Sequence, residues 1–482
     1  MSFIAFDYLW FFPTVFVLYW CLGRVGQNAL LVVSSFIFYG WIHPWFCSLL
    51  LTSAIVDYIA GAKIESDREN AGRWLTLSIA TNMGMLCFFK YCDFFLDNVI
   101  SVMEALGVSH NVHTLGLLLP VGISFFTFQT MSYTIDIYRE QLKPRDNVLD
   151  YLVFISFFPQ LVAGPVERAS NMLPQVEADR VWSWTNMRSG FALCMWGAFK
   201  KVVIADTIAP YVDFVFVTPN PSFAMVWAGG LGFGLQILAD FSAYTDLARG
   251  SARMLGFELI RNFDKPFIAA TPMEYFQRWH MSFSTWLRDY VYMPAIFSTW
   301  VRKWVTVPGT GRWGAFAHQT RATYITFVAS AIWHGATWAF LAWGLYYATL
   351  ITGYTYVQKK VLPKSWKKWK RGRYLGVPLM FVFTVFGMLI FREPTLGSLV
   401  NHMMLNPFAG TEAQWMATAI IVANVIVYAS PMMLAMALQP KLDEVAERGW
   451  FLPVQTTAWA AFAFGIFVFA RDTKGDFVYF QF

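Results

Sequence analysis

The sequence predicts an all-α polytopic membrane protein, and three observations support this fold class. Of the 482 residues, 57% are hydrophobic and only 14% are charged, with a mean hydropathy of +0.45, which is too little charge to cover the surface of a soluble protein. Apolar segments near the ~20 residues that a crossing needs alternate with short polar connections along nearly the whole chain. These segments lack the alternating pattern of barrel strands, so we expect helices.

The apolar segments define the predicted elements in order. Candidate spans or half-spans lie near residues 3–22, 27–41, 45–61, 74–90, 92–107, 115–137, 149–163, 189–205, 223–241, 322–357 (two spans), 376–391, 414–436 and 454–470. The chain opens on apolar residues without a basic leader or a small-residue cleavage site, which indicates a retained first span rather than a signal peptide. No repeat, low-complexity tract or long linker interrupts the chain. We therefore expect a single membrane domain over residues 1–482.

The basic residues predict the orientation. Segment 359–373 contains eight Lys or Arg residues and no acid, which marks it as a cytoplasmic loop. From this loop, span 376–391 crosses to the outside, 414–436 returns and 454–470 crosses to the outside again. The C-terminus is therefore expected to be extracytoplasmic. The net charge of +6 lies mostly in this loop, where it favours orientation beside anionic lipid over nucleic-acid binding.

The cysteines predict neither a disulfide framework nor a metal site. All five lie in or beside hydrophobic segments, and no C-x-x-C pair occurs. Apolar, buried thiols are the usual state of such residues.

Two stretches in the middle of the chain place polar groups beside hydrophobic segments. The segment 158–168 holds two prolines, a glycine and an acid–base pair, which predicts a broken helix that either ends a span or lines a cavity. Farther on, Asp240, Ser242, Tyr244 and Asp246 follow a Gly-rich apolar run. Because acids within a membrane are costly unless they face a cavity or a partner, we predict that these four residues form a polar cavity wall.

The next stretch is unusually cationic for a membrane chain. Its basic residues, which lie among aromatic side chains and prolines, are Arg249, Arg253, Arg261, Lys265, Arg278 and Arg288. The prolines predict short amphipathic helices at the cytoplasmic face or dipping into the core. Arginine suits phosphate groups because of its fork of donors, so these residues could receive an anionic donor. Arginines that snorkel to the interface explain the composition equally well.

Two histidines stand out against this hydrophobic background. In a helix continuing from Pro272, Ser284 and Arg288 would follow His280 at i+4 and i+8 and share its face. His334 lies between Trp333 and Gly335 inside an apolar run. Burial favours the neutral imidazole, which is the form a general base requires. A hydrogen-bonded core histidine is the competing explanation, but a second histidine upstream and the small Gly335 favour a site.

The motifs together resemble the membrane-bound O-acyltransferase family. They are Asp240-Phe-Ser-Ala-Tyr-Thr-Asp246, Asn262-Phe, Arg278-Trp-His280, Trp286-Leu-Arg-Asp289, Trp333-His-Gly335, Pro159-Gln-Leu-Val-Ala-Gly-Pro165 and the closing Phe477-Val-Tyr-Phe-Gln-Phe482. The resemblance covers essentially the whole chain. More specifically, the motifs resemble the bacterial branch that includes the membrane subunits for alginate O-acetylation, peptidoglycan O-acetylation and teichoic-acid D-alanylation.

This resemblance implies a bundle of about 11–14 tilted and re-entrant helices around a transmembrane tunnel. Residues 1–140 would form scaffold spans, 141–360 the catalytic core, and 374–482 the last spans and an aromatic tail. The implied reaction is transfer of an acyl group from a thioester to a hydroxyl, with no bound cofactor and acetyl-CoA as the donor substrate; an acyl carrier protein is also possible. His334 would be the catalytic base and His280 the second family position, where asparagine also occurs. Trp333 and Ser284 would line the cavity.

The tail carries a further expectation. It is too apolar to remain solvated, so we predict that it enters the extracytoplasmic mouth of the protein, either as a plug or as a reactant. Tyr479 carries its only hydroxyl from Phe477 to Phe482, and the resemblance suggests that it accepts the acyl group. A Ser-His-Asp type extracytoplasmic acetyltransferase would then pass the group to alginate, another polysaccharide or peptidoglycan outside a bacterial inner membrane.

A transporter of a small anionic substrate is the competing function. It would explain the spans and the charges within them, but it predicts two halves with corresponding broken segments. The sequence contains no such repeat.

Overall fold

The computed structural model of the protein describes residues 1–162, 164–298, 311–361, 372–445, 452–470 and 477. These residues are predominantly helical and contain no strand, which confirms the all-α class. Most of the basic segment 359–373 lies outside the described residues, as does Tyr479.

The helices follow one another with short connections. In chain order they are α1 (Phe6–Trp20), α2 (Arg24–Gly40), α3 (Phe46–Ser66), α4 (Ala71–Ala105), α5 (Ile123–Tyr138), α6 (Val148–Ser156), α7 (Phe158–Leu161), α8 (Ala169–Glu177), α9 (Trp184–Phe199), α10 (Asp206–Val217), α11 (Phe223–Met254), α12 (Pro272–Arg278), α13 (Met281–Leu287), α14 (Met293–Phe297), α15 (Gly311–His334), α16 (Trp338–Tyr356), α17 (Gly372–Arg392), α18 (Leu396–Met403), α19 (Glu412–Val445) and α20 (Leu452–Phe469). Wider π-helical turns cover Lys200–Ala205, Arg288–Tyr292 and Val357–Val361.

Four of these helices are long and apolar enough to cross a membrane by themselves: α3, α11, α17 and the Glu412–Gln439 part of α19. Each coincides with a span predicted from the sequence. The remaining predicted spans correspond to helices that are shorter, broken or less apolar. The protein is a multi-pass membrane protein built from spanning and shorter helices.

One predicted boundary is wrong. The spans expected at 74–90 and 92–107 form a single continuous helix, α4. The polar residues between them suggested a break, yet neither proline nor glycine occurs there to stop the helix. Asp93 instead turns its carboxylate to the later chain, where it accepts the backbone N–H groups of Leu115 at 2.8 Å and Leu117 at 3.0 Å.

The predicted break near Pro159 is confirmed. Helix α6 ends at Ser156, Phe157 adopts φ −45° and ψ 105°, and α7 begins at Phe158 with Pro159 in its first turn. A proline fits there because the first-turn N–H groups have no partner within the helix. The four residues of α7 are all buried, so this broken helix packs against protein rather than lipid.

The chain divides into two compact units. The first comprises Met1–Cys194 and Tyr244–Ile260, and the second comprises Met195–Ala243 and Arg261–Phe482. Helices α3, α4 and α5 pack together in the first unit. Several of their buried polar side chains hydrogen-bond across the helices: Asn82 donates to Asp57 at 2.8 Å, and Ser53 donates to Asn82 at 2.5 Å. Interhelical hydrogen bonds of this kind stabilise helices in an apolar environment.

Small residues allow close packing in the second unit. The glycines at the start of α11 bring its backbone against neighbouring helices, and a Cβ added at Gly230 would lie 2.4 Å from the Leu389 side chain of α17. A Cβ at Gly232 would lie 2.9 Å from Val212 of α10. Glycine at such points lets membrane helices approach more closely than larger residues allow.

Candidate active site

The site begins with a break in the chain at His280. Helix α12 ends at Arg278 and α13 begins at Met281, while His280 between them is left-handed with φ 43° and ψ 54°. A side chain with a Cβ rarely adopts this conformation, although histidine, aspartate and asparagine do so more often than most residues. The break leaves the buried His280 outside the regular part of either helix.

Asn262 holds this break in place. Its carbonyl oxygen accepts the N–H of Met281 at 2.9 Å, and its side-chain Oδ1 accepts the hydroxyl of Ser282 at 2.5 Å. The carbonyl oxygen of His280 accepts the N–H of Ser284 at 2.9 Å and so starts α13. Satisfied backbone groups stabilise an irregular turn among buried residues.

His334 is positioned by the end of another helix. It is the last residue of α15, and Thr337 caps the start of α16 by accepting the N–H of Phe340. A Cβ added at Gly335 would lie 2.3 Å from the Phe340 ring. Gly335 therefore lets this ring pack against the turn that carries His334.

The two histidines line one cavity of about 190 Å³. Its walls include His280, Ser284, Arg288, His334 and Trp343, and the rest of the lining is mainly hydrophobic. Both histidines are buried, with exposures of 1% and 6%. The cavity is large enough for a small acyl group and places two imidazoles around it.

Aromatic rings fix both imidazoles. Phe283 packs against His280 at 5.0 Å and against His334 at 5.7 Å between ring centroids. Phe241 meets the His280 ring edge-on at 4.7 Å. His280 lies outside the spanning helices, and its burial lowers its pKa to about 3. The His280 ring is therefore neutral at physiological pH.

The predicted continuous helix from Pro272 is wrong because the left-handed His280 interrupts it. The expected shared face of His280, Ser284 and Arg288 therefore cannot follow from helical periodicity. All three nevertheless line the cavity. The left-handed turn at His280 and the π-helical turn that starts at Arg288 both depart from the regular helical register.

The predicted donor-binding cations differ in their position relative to the cavity and in their ion pairs. Arg288 lines the cavity, is 61% exposed at its side chain and pairs with Asp289 at 2.8 Å. Arg278 pairs with Asp264 at 3.2 Å and Glu274 at 3.0 Å.

Arg278 and the other four cations are absent from the cavity lining. Arg249 and Arg253 belong to the first unit and both pair with Glu258. Arg261 is exposed and Lys265 is half-buried. Arg288 is thus the predicted cation that shares the cavity with the histidines.

The expected polar wall also lies elsewhere. None of Asp240, Ser242, Tyr244 and Asp246 lines the cavity. Tyr244 is within hydrogen-bond distance of the Ser2 hydroxyl, and Asp246 lies 3.6 Å from Arg249. Trp333 is likewise outside the lining and stacks on Phe283 at 4.1 Å.

Asp240 and Ser242 meet two buried lysines that sequence reasoning missed. Lys201 Nζ lies 3.0 Å from Asp240 and 2.8 Å from Asp206, while Lys200 Nζ donates to Ser242 at 2.7 Å. The sequence did contain a signal. Two adjacent lysines inside an apolar segment need partners, and Asp240 is an acid at the end of another apolar segment.

The described part of the tail approaches the same region. Phe477 is fully buried, and its ring packs against Phe241 at 5.6 Å. Phe241 is also the ring that contacts His280. The neighbouring Tyr479, predicted to accept the acyl group, lies outside the described residues.

Comparison with known proteins identifies the family. The family model for membrane-bound O-acyltransferases matches residues 139–393, a range that contains both histidines and the whole cavity lining. The chain belongs to the membrane-bound O-acyltransferase family. It is accordingly a membrane-embedded acyltransferase, as the sequence motifs predicted.

Relatives of this O-acyltransferase have related activities in their names. A probable alginate O-acetylase of Azotobacter vinelandii is 32% identical over 389 residues, covering 80% of this chain and 74% of the relative. The peptidoglycan O-acetyltransferase of Helicobacter pylori is 33% identical over 369 residues, covering 70% and 66%. The teichoic acid D-alanyltransferase of Bacillus subtilis is 28% identical over 287 residues, covering 56% and 68%.

Proposed function

We propose that this acyltransferase moves an acetyl group from a cytoplasmic thioester, acetyl-CoA, to an extracytoplasmic polysaccharide. One observation carries the proposal: His280 and His334 are buried around a single cavity that also contains Ser284 and Arg288. A buried, neutral imidazole suits proton transfer, and a solvent-accessible guanidinium suits phosphate.

His334 is the general base in this proposal. Its neutral imidazole takes the proton of an acceptor hydroxyl while the hydroxyl oxygen attacks the thioester carbonyl carbon. The carbon–sulfur bond then breaks, and the proton from His334 passes to the leaving thiolate. General-base assistance of this kind typically contributes about 10²- to 10⁴-fold. His280, which stays neutral, orients the reacting groups by hydrogen bonding.

The donor's phosphates meet Arg288. Its side chain combines access to solvent with a place in the cavity lining, whereas Arg278 is engaged by two carboxylates. Arg253, Arg261 and Lys265 would act farther from the acyl group. Acetyl-CoA is a substrate here, and the chemistry needs no resident cofactor or metal.

Tyr479 carries the acetyl group to the far side. The buried packing of Phe477 on Phe241, next to His280, supports a tail that reaches the site. An ester on the Tyr479 oxygen splits one transfer into two, which is the usual advantage of covalent catalysis. Neither the donor nor the polysaccharide then has to cross the bilayer.

The final acceptor is alginate, a similar exopolysaccharide or peptidoglycan, reached through an extracytoplasmic acetyltransferase of the Ser-His-Asp type. The relatives named as O-acetylases match more of the chain than the D-alanyltransferase does, which favours acetyl over an amino-acyl group. The protein then lies in a bacterial inner membrane with the basic segment 359–373 inside and the C-terminus outside.

The first test measures thiol release from acetyl-CoA by purified protein in lipid nanodiscs. Wild type should consume the thioester, and His334→Ala should lose at least about 10²-fold in rate because the base is missing. His113→Ala, which removes an exposed histidine outside the cavity, is the matched control. A transporter would leave the thioester intact, and His334→Ala activity above a tenth of wild type would reject the assigned base.

A further inference from the structure

Trp343 on α16 lines the cavity and takes no part in the proton transfer proposed for His334. Its ring lies edge-on to the His334 ring at a centroid distance of 5.0 Å and is held from behind by Phe391 at 5.5 Å and Tyr347 at 5.2 Å. The side chain is 5% exposed. Its indole Nε1 is buried and has no hydrogen-bond acceptor within the described part of the chain.

An orphaned indole N–H is energetically expensive. The group can only donate, and a buried donor left without an acceptor costs about 1–3 kcal/mol. Native proteins satisfy nearly all such groups, so an exception at a cavity calls for an acceptor that arrives with a ligand. The rings in contact with Trp343 are those of His334, Tyr347 and Phe391, and no described atom accepts this N–H.

We propose that the Trp343 N–H donates a hydrogen bond to the carbonyl oxygen of the transferred acyl group. This inference rests on the proposed function and adds a catalytic residue to it. When the oxygen of the attacking hydroxyl bonds to the carbonyl carbon, the π electrons of the C=O bond move to the carbonyl oxygen. The resulting oxyanion is stabilised by the N–H, and the electrons return as the carbon–sulfur bond breaks and the thiolate leaves.

The arrangement gives the two halves of the reaction separate residues. His334, at the end of α15, accepts the proton of the attacking hydroxyl. Trp343, on the next helix, stabilises the negative charge on the carbonyl oxygen. Both line the same small cavity. A fixed donor in a water-poor cavity stabilises developing charge more strongly than it would in water.

The decisive substitution is Trp343→Phe, which removes the N–H and keeps an aromatic ring. Loss of one oxyanion donor should lower kcat by about 10²- to 10³-fold, with a much smaller change in KM for acetyl-CoA. Trp343→His, which retains a ring N–H, should recover part of this loss. The control is Trp227→Phe, since Trp227 stacks on Phe386 away from the cavity lining.

A binding measurement separates this role from packing and requires no turnover. One analogue replaces the thioester sulfur of acetyl-CoA with CH₂ and keeps the carbonyl; S-ethyl-CoA lacks the carbonyl. Wild type should bind the ketone analogue at least about tenfold more tightly than S-ethyl-CoA, as expected for one hydrogen bond to a buried donor. Trp343→Phe should lose this preference.

The outcomes are distinct. Equal binding of the two analogues by wild type, or a Trp343→Phe variant with wild-type kcat, overturns the role of Trp343 while leaving the proposed function standing. A wild-type protein that never consumes acetyl-CoA overturns the proposed function and this role together.

Discussion

At the scale of single residues, His280 combines an unusual backbone with a buried ring. Its left-handed conformation is uncommon for a residue with a Cβ and costs about 1 kcal/mol or more unless its surroundings hold it. Asparagine adopts this conformation readily and also offers a side-chain hydrogen bond. The tolerance for asparagine that the family resemblance implied therefore has two physical reasons, one in the backbone and one in the side chain.

We expect His280→Asn to retain more transfer activity than His280→Ala. The amide replaces a hydrogen bond from the imidazole but cannot take up a proton, and it keeps the turn favourable. His280→Gly is the control, because it accepts the left-handed backbone without offering a side chain. Thiol release and melting temperature should both be measured. Complete loss in His280→Asn, with the fold intact, would instead make His280 an acid or base.

Arg288 provides a second prediction at this scale. Arg288→Ala should raise the KM for acetyl-CoA more than it lowers kcat, because a phosphate contact stabilises the bound substrate and the transition state alike. Arg68→Ala, at an exposed arginine of the first unit, is the control. The same measurement on the other five cations ranks them. If none of the six raises KM, the cationic stretch is an interfacial anchor only.

At the scale of helices, hydropathy predicted most elements and missed those set by packing. The spans at 45–61, 376–391 and 414–436 correspond to α3, α17 and α19 because composition alone makes them apolar and long. The break at His280 could not be predicted, since it depends on hydrogen bonds that Met281 and Ser282 donate to Asn262, a residue distant in sequence. Periodicity assumes a continuous helix and has no access to such contacts.

The Lys201–Asp240 pair is a buried electrostatic link between helical elements of the second unit, and it supports a prediction about stability. Both side chains are 1% exposed. Lys201→Met removes the cation from both Asp240 and Asp206, and breaking a buried ion pair in this way typically costs about 3–5 kcal/mol. Lys201→Met should therefore lower the melting temperature more than Asp240→Leu, which leaves Lys201 beside Asp206 at 2.8 Å.

The double variant is the informative control for this pair. Lys201→Met with Asp240→Leu removes both charges of the pair, so it should be more stable than Lys201→Met alone. Arg68→Met, which breaks an exposed pair with Glu65, should change stability by less than about 1 kcal/mol. A double variant as unstable as the worse single one would show that the charges themselves are required at this position.

At the scale of the whole molecule, composition and motifs were sufficient for the fold class, the membrane setting and the family. His280 and His334 are separated by a long stretch of sequence, and the structure brings both to the lining of one cavity. The sequence assigned them to one site because of the motifs in which they occur. Lys200 and Trp343 were missed for opposite reasons. The lysine was read as part of a span, and the tryptophan is one of 22 in the chain; its unmet N–H becomes visible only when its neighbours are known.

The last prediction concerns how one polypeptide acts on both sides of a bilayer. If Tyr479 carries the acetyl group, Tyr479→Phe keeps the aromatic packing of the tail and removes the acceptor oxygen. Acetylation of the polysaccharide by cells should then stop while the protein level stays unchanged. Tyr374→Phe, which removes the hydroxyl of a strongly exposed tyrosine, should have no effect.

Mass spectrometry of the tail decides between a carrier and a plug. Acetyl-CoA treatment of wild type should add one acetyl group to the peptide that contains Tyr479, and His334→Ala should prevent this because the phenol would keep its proton. An ester on a phenol is a good acyl donor, so the adduct should disappear when the extracytoplasmic transferase and polysaccharide are supplied. Normal polysaccharide acetylation by Tyr479→Phe would mean that the acyl group leaves by another hydroxyl, and the buried Phe477 would then serve only to close the site.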